Sequence, residues 1–187
     1  METGREKILL AEIKSNPEKF GILYDEYYHS VFSYIFRRLG DYESARDIAS
    51  ETFLKAFLKI GSFEWRGVPI IFWLLRIATN EINLFFRKSK YVPQSFQFLI
   101  NSHGVDMLDR VTEQQDKERI ENEFKQHEDF LSIQLRLKQL PLNYQEVIAL
   151  RYFEQKSIKE IAIILNKKEG TIKSLLSRGM EKLKNLM

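Results

Sequence analysis

The stretch from Ser157 to Arg178, SIKEIAIILNKKEGTIKSLLSR, constrains this chain more than any other. Ser157 followed three residues later by Glu160 is a capping-box pattern, in which hydroxyl and carboxylate each satisfy a backbone N–H at a helix start. Ile158, Ile161, Ala162 and Leu165 then recur on one helical face. Asn166-Lys167-Lys168 interrupts the pattern, and Asn tolerates the left-handed backbone that a tight helix exit needs. A second amphipathic segment follows, with Ile172, Leu175 or Leu176, and Leu183 facing inward. A small Ala162 and a β-branched Ile172 let two helices cross closely, the packing of a helix-turn-helix. Lys173, Ser174, Ser177 and Arg178 point outward, short polar and cationic groups that suit a major groove. A helical hairpin with a solvated basic face would look similar, and short helix-turn-helix patterns recur by accident.

Composition narrows the remaining classes. The chain has 187 residues, 44% hydrophobic and 29% charged, which supplies apolar material for packed cores in one large or two small domains. It has no cysteine, which excludes disulfides, thiolate metal sites and cysteine nucleophiles and suits a cytoplasmic location. His29, His103 and His127 lie far apart, so neither a metal nor a cofactor is expected. The charged N-terminus lacks the apolar core of a signal peptide, and the run Val68 to Leu75 is too short to cross a bilayer. No membrane insertion is expected. The net charge of +3 is unevenly spread: residues 1–100 carry +2, residues 101–129 carry −5 and residues 130–187 carry +6. The C-terminal piece is therefore the expected polyanion binder.

Taken in order, residues 5–15 form a short first helix in this reading. Asn16-Pro17-Glu18 restarts a helix, with an N-cap, Pro at the first position and an early acid. Phe20, Leu23, Tyr24, Tyr27, Val31, Ile35 and Leu39 keep helical spacing until Gly40. Asp41 caps the next helix, whose stripe is Ala45, Ile48, Ala49, Phe53, Ala56, Phe57 and Ile60, ended by Gly61. The short turn predicts an antiparallel pair.

The loop Ser62 to Pro69 presents Phe63, Trp65 and Arg66, and a third helix runs from about Pro69 to Lys88. That helix mixes Phe72, Trp73, Phe85 and Phe86 with Arg76, Asn80, Asn83, Arg87 and Lys88. Rings among amides and cations suit single-stranded nucleic acid, because bases stack on rings and cations meet phosphates. For Phe72 and Phe85 a place in the core is the better reading; for Trp73, Asn80 and the Trp65 loop the two readings are balanced. Val92 to Gln115 reads as linker, with a helix resuming near Asp116. Pro141 then opens a helix carrying Val147, Ile148, Leu150, Tyr152 and Phe153, a scaffold for the helix-turn-helix. No phosphate loop, Ser/His/Asp arrangement or paired-carboxylate signature is present, so no catalytic residue is assigned.

Four segments together resemble the bacterial RNA polymerase sigma factors of the extracytoplasmic-function (ECF) subfamily: LYDEYYHSVFSYIFRRLGD, ARDIASETFLKAF, FWLLRIATNEINLFFRK and LPLNYQEVIALRYFEQKSIKEIAIILNKKEGTIKSLLSRG. Their order and spacing are more specific than any one of them. The resemblance implies an all-α protein of two small helical domains, residues 1–92 and 129–187, joined by an acidic linker, 93–128. It implies a non-enzymatic initiation factor whose partners are core RNA polymerase, promoter DNA and an anti-sigma factor. By position it assigns Asp47, Ser50, Glu51 and Phe53 to the surface or support of a polymerase-binding helix. Phe63, Trp65, Arg66, Trp73, Arg76, Asn80, Arg87 and Lys88 fall to minus-ten recognition and melting, the Phe63 to Gly67 loop holding an unstacked base. Lys167, Lys168, Thr171, Lys173, Ser174, Ser177 and Arg178 fall to the minus-thirty-five duplex.

The chain departs from that family at Leu84, where Asp or Asn is usual, at Ser50, where Gln is common, and at Asn166, in place of a turn glycine. At Leu175 the family usually carries Arg, and its loss removes a guanine reader worth about 1–3 kcal/mol of discrimination. Leu175 either packs inward or touches a thymine methyl. The main alternative is a stand-alone helix-turn-helix regulator with a ligand-sensing or dimerising N-terminal domain, which has no need of an aromatic-basic third helix. A second is a helical adaptor with decayed DNA readout. Replacing Lys173 with Ala should weaken promoter binding and flatten its salt dependence; an unchanged salt slope would exclude a phosphate contact by Lys173.

Overall fold

A computed structural model describes residues 3–89 and 128–186. All regular elements among them are helical. The N-terminal unit comprises α1 (Thr3–Ser15), α2 (Phe20–Leu39), α3 (Tyr42–Lys59) and α4 (Ile70–Ser89). The C-terminal unit comprises α5 (Glu128–Gln139), α6 (Leu142–Ile148), α7 (Ile158–Leu165) and α8 (Glu169–Lys184). The expected linker and the helix start near Asp116 lie outside the described residues.

Local chemistry sets the boundaries of the first unit. Asn16 accepts the Glu18 N–H at 3.1 Å, and Pro17–Lys19 form a separate 3-10 turn that leads into α2. Gly40 ends α2 in the left-handed region (φ 67°), its N–H donating to Phe36 O at 2.7 Å. Asp41 then accepts the Ser44 N–H at 2.8 Å and opens α3.

The α2–α3 pair closes around an aromatic ladder. Tyr24, Tyr28, Phe32 and Phe36 stack at four-residue intervals along α2, with centroids 4.9, 5.8 and 6.0 Å apart. Phe53 and Tyr42 of α3 meet this ladder edge-on at Tyr24 and Phe32. The single stripe expected for α2 is too narrow: Phe32, Tyr34 and Arg38 are buried as well, because α4 covers a second side. Tyr34 lies fully buried with its hydroxyl 2.8 Å from Thr79 Oγ1, and burial pushes its phenol above the usual tyrosine range. In α3, Phe57 leaves the expected stripe and stands 41% exposed against the edge of Phe20, while Thr52 is buried and donates its hydroxyl to Ile48 O. Phe72 is a core ring, and Phe85 packs on the core partly buried.

The second unit forms the helix-turn-helix as patterned. Glu160 N–H donates to Ser157 Oγ at 3.2 Å, and Ser157 N–H donates to Glu160 Oε2 at 2.7 Å. Asn166 adopts φ 53°, ψ 48°, the left-handed exit, and its N–H reaches the carbonyls of Ala162 and Ile163. Ile161, Ile164 and Ile172 are completely buried. Gly179 lets α8 press onto α6, where a Cβ would come within 3.1 Å of Ile148 Cδ1 and 3.2 Å of Tyr144 Cβ. The buried apolar residues of both units form one continuous cluster.

Hydrogen bonding to the Ser157 backbone N–H holds the Glu160 carboxyl below the usual carboxylate range. A lowered acid pKa contributes stability that is present above the unfolded value and is lost as pH falls. Glu160→Ala should therefore cost about 0.5–1 kcal/mol at neutral pH, and the gap should narrow as pH falls through and below the ordinary glutamate range. Urea unfolding at pH 7 and pH 3.5 checks this; a gap independent of pH would separate the cap from the carboxylate charge.

Candidate nucleic-acid interface

Helix α8 carries one exposed polar edge. Thr171, Ser174 and Arg178 lie along one line at i, i+3 and i+7, flanked by Lys173 and Ser177, and all five are exposed. Lys167 and Lys168, also exposed, stand at the turn that precedes them. All seven side chains expected at a duplex are thus brought to the start and outer edge of one helix. Leu175 adjoins this edge at i+4 from Thr171 but is partly buried and packs against the core with Leu176, which favours the inward of its two options.

The second cluster lies on α4 and the loop before it. The Phe63 ring leans on Trp73 with centroids 4.5 Å apart at 41°, so loop and helix share one aromatic surface. Trp65 is half-buried, its indole N–H enclosed without a partner. Arg66 is exposed beside Glu64 at 3.4 Å. Asn80, Arg87 and Lys88 are exposed on α4, with Arg87 Nε donating to Asn83 O at 3.3 Å. Leu84 is half-buried, giving this stretch no polar group at that place.

Arg76 belongs elsewhere. Its Nε donates to Ile164 O at 2.8 Å and its Nη2 to Ile163 O, so the guanidinium caps the C-terminal carbonyls of α7. In this arrangement the guanidinium is occupied by these carbonyls rather than free on the surface. Helix-end carbonyls have no partner within their own helix, and one edge of a planar guanidinium, with two side-by-side donors, satisfies a consecutive pair. Around it, Asn83 Nδ2 donates to Glu146 Oε2 at 3.1 Å, and Arg37 pairs with Glu154 at 3.1 Å. Gln134 Nε2 donates to Arg37 O at 2.7 Å, and Lys156 sits 5.7 Å above the Phe72 ring. Arg76, Asn80, Asn83, Glu146 and Lys167 border a polar cavity of about 280 Å³ between the units.

The third surface is the outer face of α3. Asp47, Ser50 and Glu51 are exposed there, but Phe53 is 3% exposed and turned into the aromatic ladder. Phe53 therefore supports the surface from behind. Glu51 is paired with Lys55 at 3.1 Å, and Lys55 also binds Glu81 at 2.6 Å, which raises the lysine pKa. Sequence reading missed Leu54 and Leu58, 52% and 71% exposed on the same face. They continue the line Asp47, Ser50 at i+7 and i+11, a signal visible in the spacing once the inward stripe is set aside.

Comparison with known proteins is consistent across the chain. Residues 23–91 match the family described as Sigma-70 region 2, and residues 130–183 match Sigma-70, region 4. The chain is 32% identical over 170 residues to the ECF RNA polymerase sigma factor BldN of Streptomyces coelicolor, covering 91% of this chain and 61% of BldN. It is 32% identical over 171 residues to the ECF RNA polymerase sigma factor SigW of Bacillus subtilis, covering 91% of this chain and 90% of SigW. A solved structure of the sigma factor RpoE with the anti-sigma factor NepR from Bartonella quintana shares the fold, with TM-score 0.58 at 22% identity over 90% of this chain and 96% of RpoE. A stand-alone helix-turn-helix regulator would account for the second match but not the first. The chain belongs to the ECF sigma factors of the sigma-70 family, which initiate transcription with RNA polymerase.

Proposed function

We propose that two units, residues 1–92 and 129–187 with a tether over 93–128, divide the work of promoter recognition. The α8 edge engages the minus-thirty-five duplex, with Lys173, Ser174 and Arg178 carrying readout in place of the Arg missing at Leu175. The Phe63–Gly67 loop with Trp73, Asn80, Arg87 and Lys88 engages the melted minus-ten strand. The outer face of α3 docks on core polymerase through Leu54 and Leu58, with Asp47, Ser50 and Glu51 fixing orientation. The reaction chemistry is the polymerase's, and the protein acts in the cytoplasm. RpoE's solved complex with NepR supports an anti-sigma partner here too.

The observation that supports this reading most is two exposed leucines beside exposed acids on α3, on the same chain as an aromatic loop and a polar recognition edge. Exposed large apolar side chains at helical spacing are uncommon without a covering partner. The docked arrangement suits the free protein. It occupies Arg76 on the carbonyls at the end of α7. Separation of the units on polymerase would release Arg76 toward DNA.

Co-elution with sigma-free core polymerase on a sizing column tests the docking surface. The wild-type chain should co-elute, and both Leu54→Ser/Leu58→Ser and Asp47→Lys/Glu51→Lys should abolish the complex while leaving the helical circular dichroism unchanged. Co-elution of both double variants at wild-type level would remove α3 as the docking face.

A further inference from the structure

Helix α1 lies outside both family-matched ranges, yet three of its side chains reach the segment from Phe63 to Ile70. Glu6 is 2% exposed; one carboxylate oxygen accepts the Tyr27 hydroxyl and the other accepts the Ile70 N–H at 3.3 Å. That N–H is the first of α4, and the residue before it, Pro69, has no side-chain acceptor to offer. A carboxylate from 64 residues away thus does the work of an N-cap, where negative charge is favoured. Burial and the Glu6 contact together push the Tyr27 phenol far above its usual range. At the other end of the loop, Lys14 Nζ donates to Phe63 O at 2.8 Å. Between them, Lys7 Nζ stands 5.7 Å over the Trp65 ring.

From Glu6 to Lys14 the helix rises about 12 Å, so one rigid rod holds the loop at its beginning, middle and end. Lys7 and Lys14 are exposed, and a surface lysine contact adds little to folding stability. What those contacts do fix is where the Phe63 carbonyl and the Trp65 ring sit. We propose that α1 is a brace for the Phe63–Gly67 loop: Glu6 anchors it, and Lys7 and Lys14 are positioning residues that set which base the loop accepts. This inference rests on the reading that the loop holds an unstacked minus-ten base.

The test uses full-length variants assembled with core polymerase and fork-junction DNAs that differ only in one unpaired minus-ten base. The readout is the ratio of affinities for the best and worst base, alongside core co-elution and the unfolding temperature. Lys14→Met and Lys7→Gln should each lower that ratio about threefold to tenfold, the scale of one lost positioning contact. Lys14→Arg should restore it, with core binding and unfolding temperature unchanged throughout. Trp65→Ala serves as the control for the loop itself. If Trp65→Ala lowers the ratio and both lysine variants keep the wild-type value, the brace is wrong and the loop reading stands. If the wild type accepts all four bases equally, or Trp65→Ala changes nothing, the loop reading fails and takes the brace with it. A ratio that falls only together with core binding or unfolding temperature would mean that α1 merely stabilises the fold, and would overturn the proposal.

Discussion

Helix α4 must be buried and available at once. Ile70, Leu74, Leu75, Ala78 and Ile82 close the core of the first unit, and Thr79 locks onto the buried Tyr34 hydroxyl. The same helix carries Trp73, Asn80, Arg87 and Lys88 on its uncovered sides, begins at the braced loop, and holds the second unit through Arg76 and Asn83. Displacing α4 by an ångström would move every one of these groups together. A closely packed interior resists such displacement, which gives short polar side chains a fixed place in space.

Charge follows the same division of labour. The second unit is basic and ends in an exposed helix edge, whereas the outer face of α3 combines acids with bare leucines. Only the first suits a phosphate backbone; the second suits a protein. A single large partner that accepts α3 would bring two weak DNA contacts to high effective concentration, so neither unit needs tight DNA binding by itself.

Much of this was legible in the sequence because it is local. Ser157 and Glu160 are three residues apart, Gly40 and Asp41 are neighbours, and Asn166 interrupts a strict apolar period; each signal forms its structure within one or two turns. Leu175 stood between two options, and its partial burial against the core beside Leu176 depends on how closely the two helices cross. What could not be read depends on distant partners. Arg76 looks like a free surface cation until the α7 carbonyls 87 and 88 residues away arrive beside it. Glu6 looks like an ordinary first-turn acid until Tyr27 and Ile70 enclose it. Phe53 and Phe57 both belong to the expected inward stripe, but the aromatic ladder of α2 draws the first in and leaves the second at the rim. Helical periodicity reports that a face is covered, not by what.

A chain that gives core polymerase a choice of promoter and helps open it must leave both marks on the DNA that the polymerase selects. The most direct measurement is selection of heparin-resistant complexes from a random-sequence duplex library by core polymerase with and without the chain, followed by permanganate probing of the enriched sequences. Two elements at a constant spacing should be enriched, with reactive thymines confined to the downstream one. Enrichment no different from core alone, or a single element without melting, would contradict that role.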